Sequence, residues 1–240
     1  MQLNQREQVL VRLAKYLGRC RVSHTLRVAI DGPDAAGKTR LADDLAHLLG
    51  QQREVIRLSV DRFHRPAAVR RRRGSLSAEG YYLDSFDHDT IINSVLRPLG
   101  PGGDGRYLPA AYDYRADEPV PPAYQQAPAR GILLFDGVFL LRPELRDYWD
   151  VALYLHVAPE VTLQRALKRD LDLFGSAAAV EHRYHGRYLP GQELYRAEAQ
   201  PLDRADIVLD MTNPLNPTML CWAADAEPDS HRERGQPSAK

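Results

Sequence analysis

Apolar residues recur along this chain with two periods. Val9, Leu10, Leu13, Ala14 and Leu17 return every three or four positions, which predicts an amphipathic helix over 4–18 ending at Gly18. Short runs rich in Val, Ile and Leu stand at 26–30, 55–60, 132–135, 151–157 and 205–209 and predict five strands. Helical patterns lie between them. Residues 38–49 place Leu41, Leu45, Leu48 and Leu49 on one face and close at Gly50, and a second helix runs from near Asp87 to just before Pro98. A third spans 159–173 with Pro159 in its first turn, and 177–198 reads as helix broken or kinked at Pro190-Gly191. Strands alternating with helices predict an α/β fold: a five-stranded parallel sheet covered on both faces, in three α/β/α layers. Residues 99–128, dense in Pro, Gly and Tyr, are expected to leave the sheet as a small excursion. Residues 1–222 are expected to form one domain and the polar 223–240 a disordered tail.

The first of these βα junctions carries chemistry. Gly32-Pro33-Asp34-Ala35-Ala36-Gly37-Lys38-Thr39 fits GxxxxGK[ST], between a predicted strand and a predicted helix, with Arg40 next in the helix. Gly32 and Gly37 permit the backbone angles that turn successive N–H groups inward around a phosphate. The helix N-terminus adds unpaired donors and the positive end of its dipole. Lys38 is suited to the β/γ-phosphates and the Thr39 hydroxyl to Mg²⁺. The chain is therefore expected to bind a nucleoside triphosphate, and without an Asn-Lys-x-Asp string ATP is favoured.

Bulk properties narrow the partners. Lys plus Arg and Asp plus Glu both total 32, so no basic excess points to nucleic acid. Cys20 and Cys221 form no metal or disulfide pattern, the N-terminus lacks a signal-peptide core, and no run reaches the length of a membrane span. The expectation is a soluble cytoplasmic protein acting on a small molecule, with homo-oligomer formation left open.

In open α/β sheets ligands bind beyond the carboxyl ends of the strands. Asp61 follows the second predicted strand, in VDRFHRP, and Asp136 follows the third, in LLFDG. One carboxylate can orient Mg²⁺ while the other accepts a proton from an attacking hydroxyl; the plainer alternative is that either caps a helix or ties down a loop. Asp136, after an apolar strand, has the pattern of a Walker B element.

AIDGPDAAGKT, LSVDRFHRP, LLFDGVFLL, VTLQRALKRD and RADIVLDMTNP together resemble the uridine kinase and phosphoribulokinase family of P-loop kinases over roughly residues 25–215. The resemblance implies a P-loop NTPase fold with a helical lid (160–198), and ATP and Mg²⁺ as cofactors. It also implies phosphorylation of a nucleoside 5′-hydroxyl, with Asp61 as the base toward that hydroxyl. By the same resemblance Phe63 and His64 line the substrate, Asp84 grips sugar hydroxyls, Tyr112 packs against the base, and Arg165 and Arg169 close over the transferring phosphoryl group. The alternative for the two arginines is a solvated helix face paired to Asp170 or Glu160. Arg183 and Arg187 read as surface residues, and the run Arg70–Arg73 as a solvated mobile loop. His182 and His185 lack a metal-ligand pattern, Asn213-Pro214 lies where related kinases contact adenine, and Asp87 reads as a helix cap.

The chain departs from the uridine kinases after Tyr112-Asp113-Tyr114, where their base-reading histidine is absent and Arg115 stands instead. The acceptor is thus open between a nucleoside and another alcohol such as pantothenate or a sugar phosphate. A regulatory NTP-binding module without a small acceptor is the rival from another class.

Overall fold

The computed structural model describes residues 3–223. Helix α1 (Gln5–Arg19) starts at a capping box, the Asn4 side chain accepting from the Glu7 amide while Glu7 accepts from the Asn4 amide. It runs through Gly18 to a cap at Cys20. Strand β1 (Leu26–Asp31) leads through the glycine loop into α2 (Lys38–Leu49), which buries Leu41, Ala42, Leu45 and Leu49. After β2 (Val55–Ser59) come a 3₁₀ turn over Val60–Phe63 and three short helices: α3 (Ala67–Arg70), α4 (Ala78–Asp84) and α5 (His88–Ile91). Asp87 caps α5 by accepting from the Thr90 amide at 3.1 Å, and a π-helical turn over Ile92–Leu96 follows.

The Pro- and Gly-rich excursion is a nested pair of two-stranded ribbons. Strand β3 (Arg106–Tyr107) pairs with β6 (Gln125–Gln126), enclosing β4 (Tyr112–Asp113) paired with β5 (Glu118–Pro119). The chain then re-enters the sheet as β7 (Ile132–Gly137) and continues through β8 (Val151–His156), α6 (Pro159–Arg169), α7 (Leu171–Phe174) and α8 (Ala177–Arg183). Helices α9 (Leu189–Ala199) and α10 (Pro201–Arg204) precede β9 (Ile207–Asp210) and β10 (Thr218–Trp222).

The central sheet has the order β10-β9-β8-β1-β7-β2 and is parallel except for β10, which pairs antiparallel with β9. Every residue of β1 and β7 is buried, as expected of a sheet covered on both faces. Alternate side chains serve two cores: Val28, Ile30 and Leu134 join α1 and α2, while Ala29, Leu133 and Phe135 join the rings of α4 and α9. The register sets Ser59 and Ile30 level with Asp136, so β1, β2 and β7 open at one height toward the glycine loop.

Three expectations need correction. The sheet has six strands rather than five parallel ones: β10 is an exposed edge strand bulged between Met219 and Cys221 and held by Trp222, whose ring meets Tyr16 edge-on at 5.3 Å. The helix predicted over 159–173 breaks at Asp170, whose side chain is taken by the ion pair described below. Pro190 does not break its helix, because the π-helical turn Tyr184–Tyr188 ahead of it shifts the hydrogen-bonding frame and places Pro190 in the first turn of α9. The tail expected over 223–240 lies, beyond Ala223, outside the described residues. No helix among the described residues is long and apolar enough to cross a membrane.

Candidate active site

The glycine loop has the backbone its sequence requires. Gly32 (φ +149°) and Gly37 (φ +91°) occupy positive φ, and a Cβ on Gly32 would stand 2.6 Å from the Leu155 carbonyl oxygen. Ala35 also takes a left-handed angle, φ +56°. Pro33, Asp34 and Ala36 complete the loop, with Ala36 buried, and Arg40 is exposed on α2. Lys38 Nζ donates to the Pro33 carbonyl at 2.7 Å. Burial pushes the Lys38 ammonium down from its ordinary pKa, opposed by the carboxylates of Asp34, Asp31, Asp136 and Asp61.

Thr39 and Asp136 are brought together: the Thr39 hydroxyl donates to Asp136 Oδ2 at 2.7 Å. Asp136 is only 2 % exposed, and its Oδ1 accepts from Arg57 Nη2 at 3.1 Å. A hydroxyl and one carboxylate beside a phosphate loop make the donor set that suits Mg²⁺, which keeps waters and phosphate oxygens as its remaining ligands. A cavity of about 370 Å³ opens beside them, lined in part by Ser59, Arg62, Pro109 and Ala110. Thus the excursion forms one wall of the cleft.

Asp61 sits in the 3₁₀ turn at the end of β2, exposed to solvent, and no hydrogen bond among the described residues engages its carboxylate. Although the residue keeps a solvent-exposed side, the protein around its carboxyl displaces water and pushes it above the usual range; His64 and Lys38 oppose the shift, while Asp136 and Asp34 reinforce it. A carboxylate facing the loop lysine with raised basicity is equipped to take a proton. His64 is packed between the rings of Phe86 and Tyr114, at centroid distances of 4.6 and 4.9 Å, and burial lowers its pKa.

The acceptor-side residues differ from expectation. Phe63 is fully buried against Phe135, so its ring belongs to the core and not to the cleft surface. Asp84 is 1 % exposed and closed by Arg72 (Nη2, 2.5 Å) and Arg73 (Nε, 2.9 Å). Burial would raise its carboxyl, but hydrogen bonds from these arginines outweigh that and hold it below the usual range. Arg71, Arg72 and Arg73 are exposed as expected, yet the run is not idle: Arg72 and Arg73 hold Asp84, and Arg70 bonds the Arg65 carbonyl and Asp117. Tyr112 is buried and donates to the same Asp117 oxygen at 3.0 Å.

The helical segment supplies one arginine directly to the loop. Arg165 donates to the carbonyls of Ala35 (3.3 Å), Met211 (2.6 Å) and Thr212 (3.1 Å). Arg169 is bidentate to Asp170, which also accepts from the buried Tyr184 hydroxyl, so it adopts the paired alternative. Arg187, read as a surface residue, is buried and donates to the Ser77 carbonyl at 3.1 Å; Arg183 lies over the Phe174 ring. Asn213 caps its own turn through the Leu215 amide, and the Pro214 carbonyl accepts from Arg6.

Two contacts at the glycine loop join residues far apart in the sequence. Tyr81 in α4 donates its hydroxyl to Asp34 at 2.8 Å across 47 positions. Asp31, fully buried, accepts from the Gly32 amide at 2.6 Å and from the Tyr195 hydroxyl of α9. Its place at the end of an apolar strand, the same pattern that marked Asp136, is the one sequence cue.

Comparison with known proteins agrees with this geometry. The model of the Phosphoribulokinase / Uridine kinase family matches residues 28–210. A pantothenate kinase of Lacticaseibacillus casei (strain BL23) is 28 % identical over 205 residues, covering 80 % of this chain and 64 % of the relative. The chain thus spans just under two thirds of that relative's length. Uridine-cytidine kinase 2-B of Danio rerio is 26 % identical over 153 residues, 60 % of this chain and 57 % of the relative. Among solved structures, a possible uridine kinase from Bacillus stearothermophilus superposes with TM-score 0.66 at 22 % identity, covering 84 % of this chain and 97 % of that one. D-glycerate 3-kinase from Cryptococcus neoformans gives 0.58 at 14 % identity, covering 88 % and 97 %. Both share the fold.

Proposed function

Because the chain belongs to the phosphoribulokinase / uridine kinase family, we propose that it is an ATP- and Mg²⁺-dependent kinase of a small-molecule alcohol, with 1–222 acting as one unit. The supporting observation is Asp61, a carboxylate of raised basicity held free of hydrogen bonds opposite Lys38 and the glycine loop. Gly32 to Thr39 cradle the polyphosphate, and Thr39 with Asp136 hold Mg²⁺. Bound Mg²⁺ and ATP supply the phosphoryl group and part of the neutralisation of its charge. Asp61 orients the acceptor hydroxyl and takes its proton. Arg165 fixes the loop at the Ala35 carbonyl, and Arg169 reaches the transferring group by leaving Asp170 as the lid closes.

A nucleoside 5′-hydroxyl, giving the monophosphate, is one acceptor reading; the half-buried His64 ring and the exposed Tyr114 ring beside it favour it as a stacking surface for a base. A second reading, an acidic alcohol such as pantothenate or a sugar phosphate, is favoured by Asp84. Two guanidiniums already fill that carboxylate, leaving it poorly placed to accept from a ribose diol. Release of ADP from Mg·ATP with uridine, cytidine, pantothenate, ribulose 5-phosphate or no acceptor tests both. Acceptor-dependent release supports the kinase and ranks the readings. Release indifferent to every acceptor contradicts it and leaves an NTPase.

A further inference from the structure

The buried carboxylate of Asp31 takes no part in the transfer just described, yet it stands at the first peptide of the glycine loop. Its Oδ1 accepts from the Gly32 amide at 2.6 Å. Its Oδ2 accepts from the Leu141 amide at 3.2 Å and from the Tyr195 hydroxyl, and that hydroxyl accepts in turn from Leu141 at 3.1 Å. These bonds form a closed ring of three chain segments: the start of the glycine loop, the turn after Asp136, and α9. Asp31 and Tyr195 are both 0 % exposed, so no water substitutes for a lost partner without opening the core.

Helix α9 is itself fixed. Gly191 and Tyr195 lie one turn apart on the same face, and a Cβ on Gly191 would stand 2.7 Å from Tyr81 Cδ1. Tyr81 in turn bonds Asp34 inside the glycine loop. Helix α9, at the end of the segment expected to form the lid, therefore reaches the loop at two places: at Asp31 directly and at Asp34 through Tyr81. With Gly32 held against the Leu155 carbonyl, the loop cannot shift at its entry without breaking the Asp31 ring.

We propose that Asp31 and Tyr195 are positioning residues for the nucleotide: together they fix the peptide at which the phosphate loop begins, and so set the direction of the amides that bind the polyphosphate. The inference rests on the kinase reading, since it assigns the loop to ATP. The groups facing Asp31 are the Tyr195 hydroxyl from α9, Tyr154 from β8, Lys38 from α2 and the two amides. Burial, the largest influence, raises its carboxyl to about 6 against the bonds from Tyr195 and Gly32. Loss of the Tyr195 hydroxyl therefore moves its protonation to higher pH, and a protonated Asp31 loses acceptors that the ring needs.

Calorimetric titration of Mg·ATP into the full chain tests this without requiring the acceptor. At pH 7.5, Tyr195→Phe and Asp31→Asn should each weaken ATP about tenfold or more, as expected for charge-assisted bonds. The double variant should be no weaker than Asp31→Asn alone. Tyr195→Phe should also carry the acid-side loss of affinity to higher pH than in the wild type. Folded variants with ATP affinity within about twofold of wild type and an unmoved pH profile would overturn the proposal, even if their Tm fell. Should Asp31→Asn not fold, Tyr195→Phe, which keeps the aromatic side chain and loses only the hydroxyl, decides alone. A wild-type chain that binds no Mg·ATP overturns the kinase reading itself, and this inference with it.

Discussion

The glycine-loop side of the site and the proposed acceptor side are built from different materials. The first is mostly backbone: two glycines at positive φ, a helix N-terminus, and one Thr–Asp contact between the first turn of α2 and the end of β7. The second is made of side chains tied to one another across the sequence: Asp84 to Arg72 and Arg73, and Tyr112 and Arg70 to Asp117. Backbone-built sites tolerate few residue types, whereas side-chain networks can exchange members and change what they recognise. The contrast is consistent with a family in which nucleotide binding stays put while relatives are named for different acceptors.

Substitutions on the two sides should break this contrast or sharpen it. The largest effect is expected from Lys38→Ala, which removes the cation at the phosphates and should lower turnover about 10²–10³-fold with any acceptor. Gly32→Ala comes next: its Cβ would meet the Leu155 carbonyl, so ATP affinity and Tm should fall together, read by calorimetry and thermal melting. Asp84→Asn should leave ATP affinity intact while raising acceptor KM. It should also lower Tm by a few degrees near neutral pH, because two guanidiniums lose their carboxylate. The pH sign follows from the depressed carboxyl: its stabilisation is present above the ordinary Asp pKa and disappears as pH falls through the folded value. Melting curves of Asp84→Asn should therefore converge on wild type in acid. The smallest effect is expected from Tyr112→Phe, which removes one of three donors to an Asp117 oxygen still bonded by Arg70 and the Ala67 amide; acceptor KM should change about twofold or less.

The same division separates what the sequence disclosed from what it did not. Apolar runs mark β1, β7, β8 and β9 because strands buried on both faces carry a nearly unbroken apolar signal, while the edge strand β2 is marked by alternation, with Ile56 and Leu58 buried. Strand β10 carries a weak signal because it is a bulged edge strand in which only Met219 and Trp222 are half-buried. The glycine loop was legible because its chemistry is local. Asp84 and the arginine run were each visible as candidates, but their pairing joins positions eleven and twelve apart across a helix whose docking no local pattern reveals. The family resemblance implies a substrate contact at Phe63, yet the 3₁₀ turn directs its ring into the core. Arg187 was misread for a related reason: its guanidinium caps carbonyls on an element some 110 residues earlier.

Asp61→Asn offers the most direct measurement, with ATP affinity read by calorimetry and acceptor-dependent ADP release by a coupled assay. Turnover should fall about 10²–10⁴-fold while ATP binds as in the wild type. Undiminished release in that variant would contradict the assignment of the proton to Asp61.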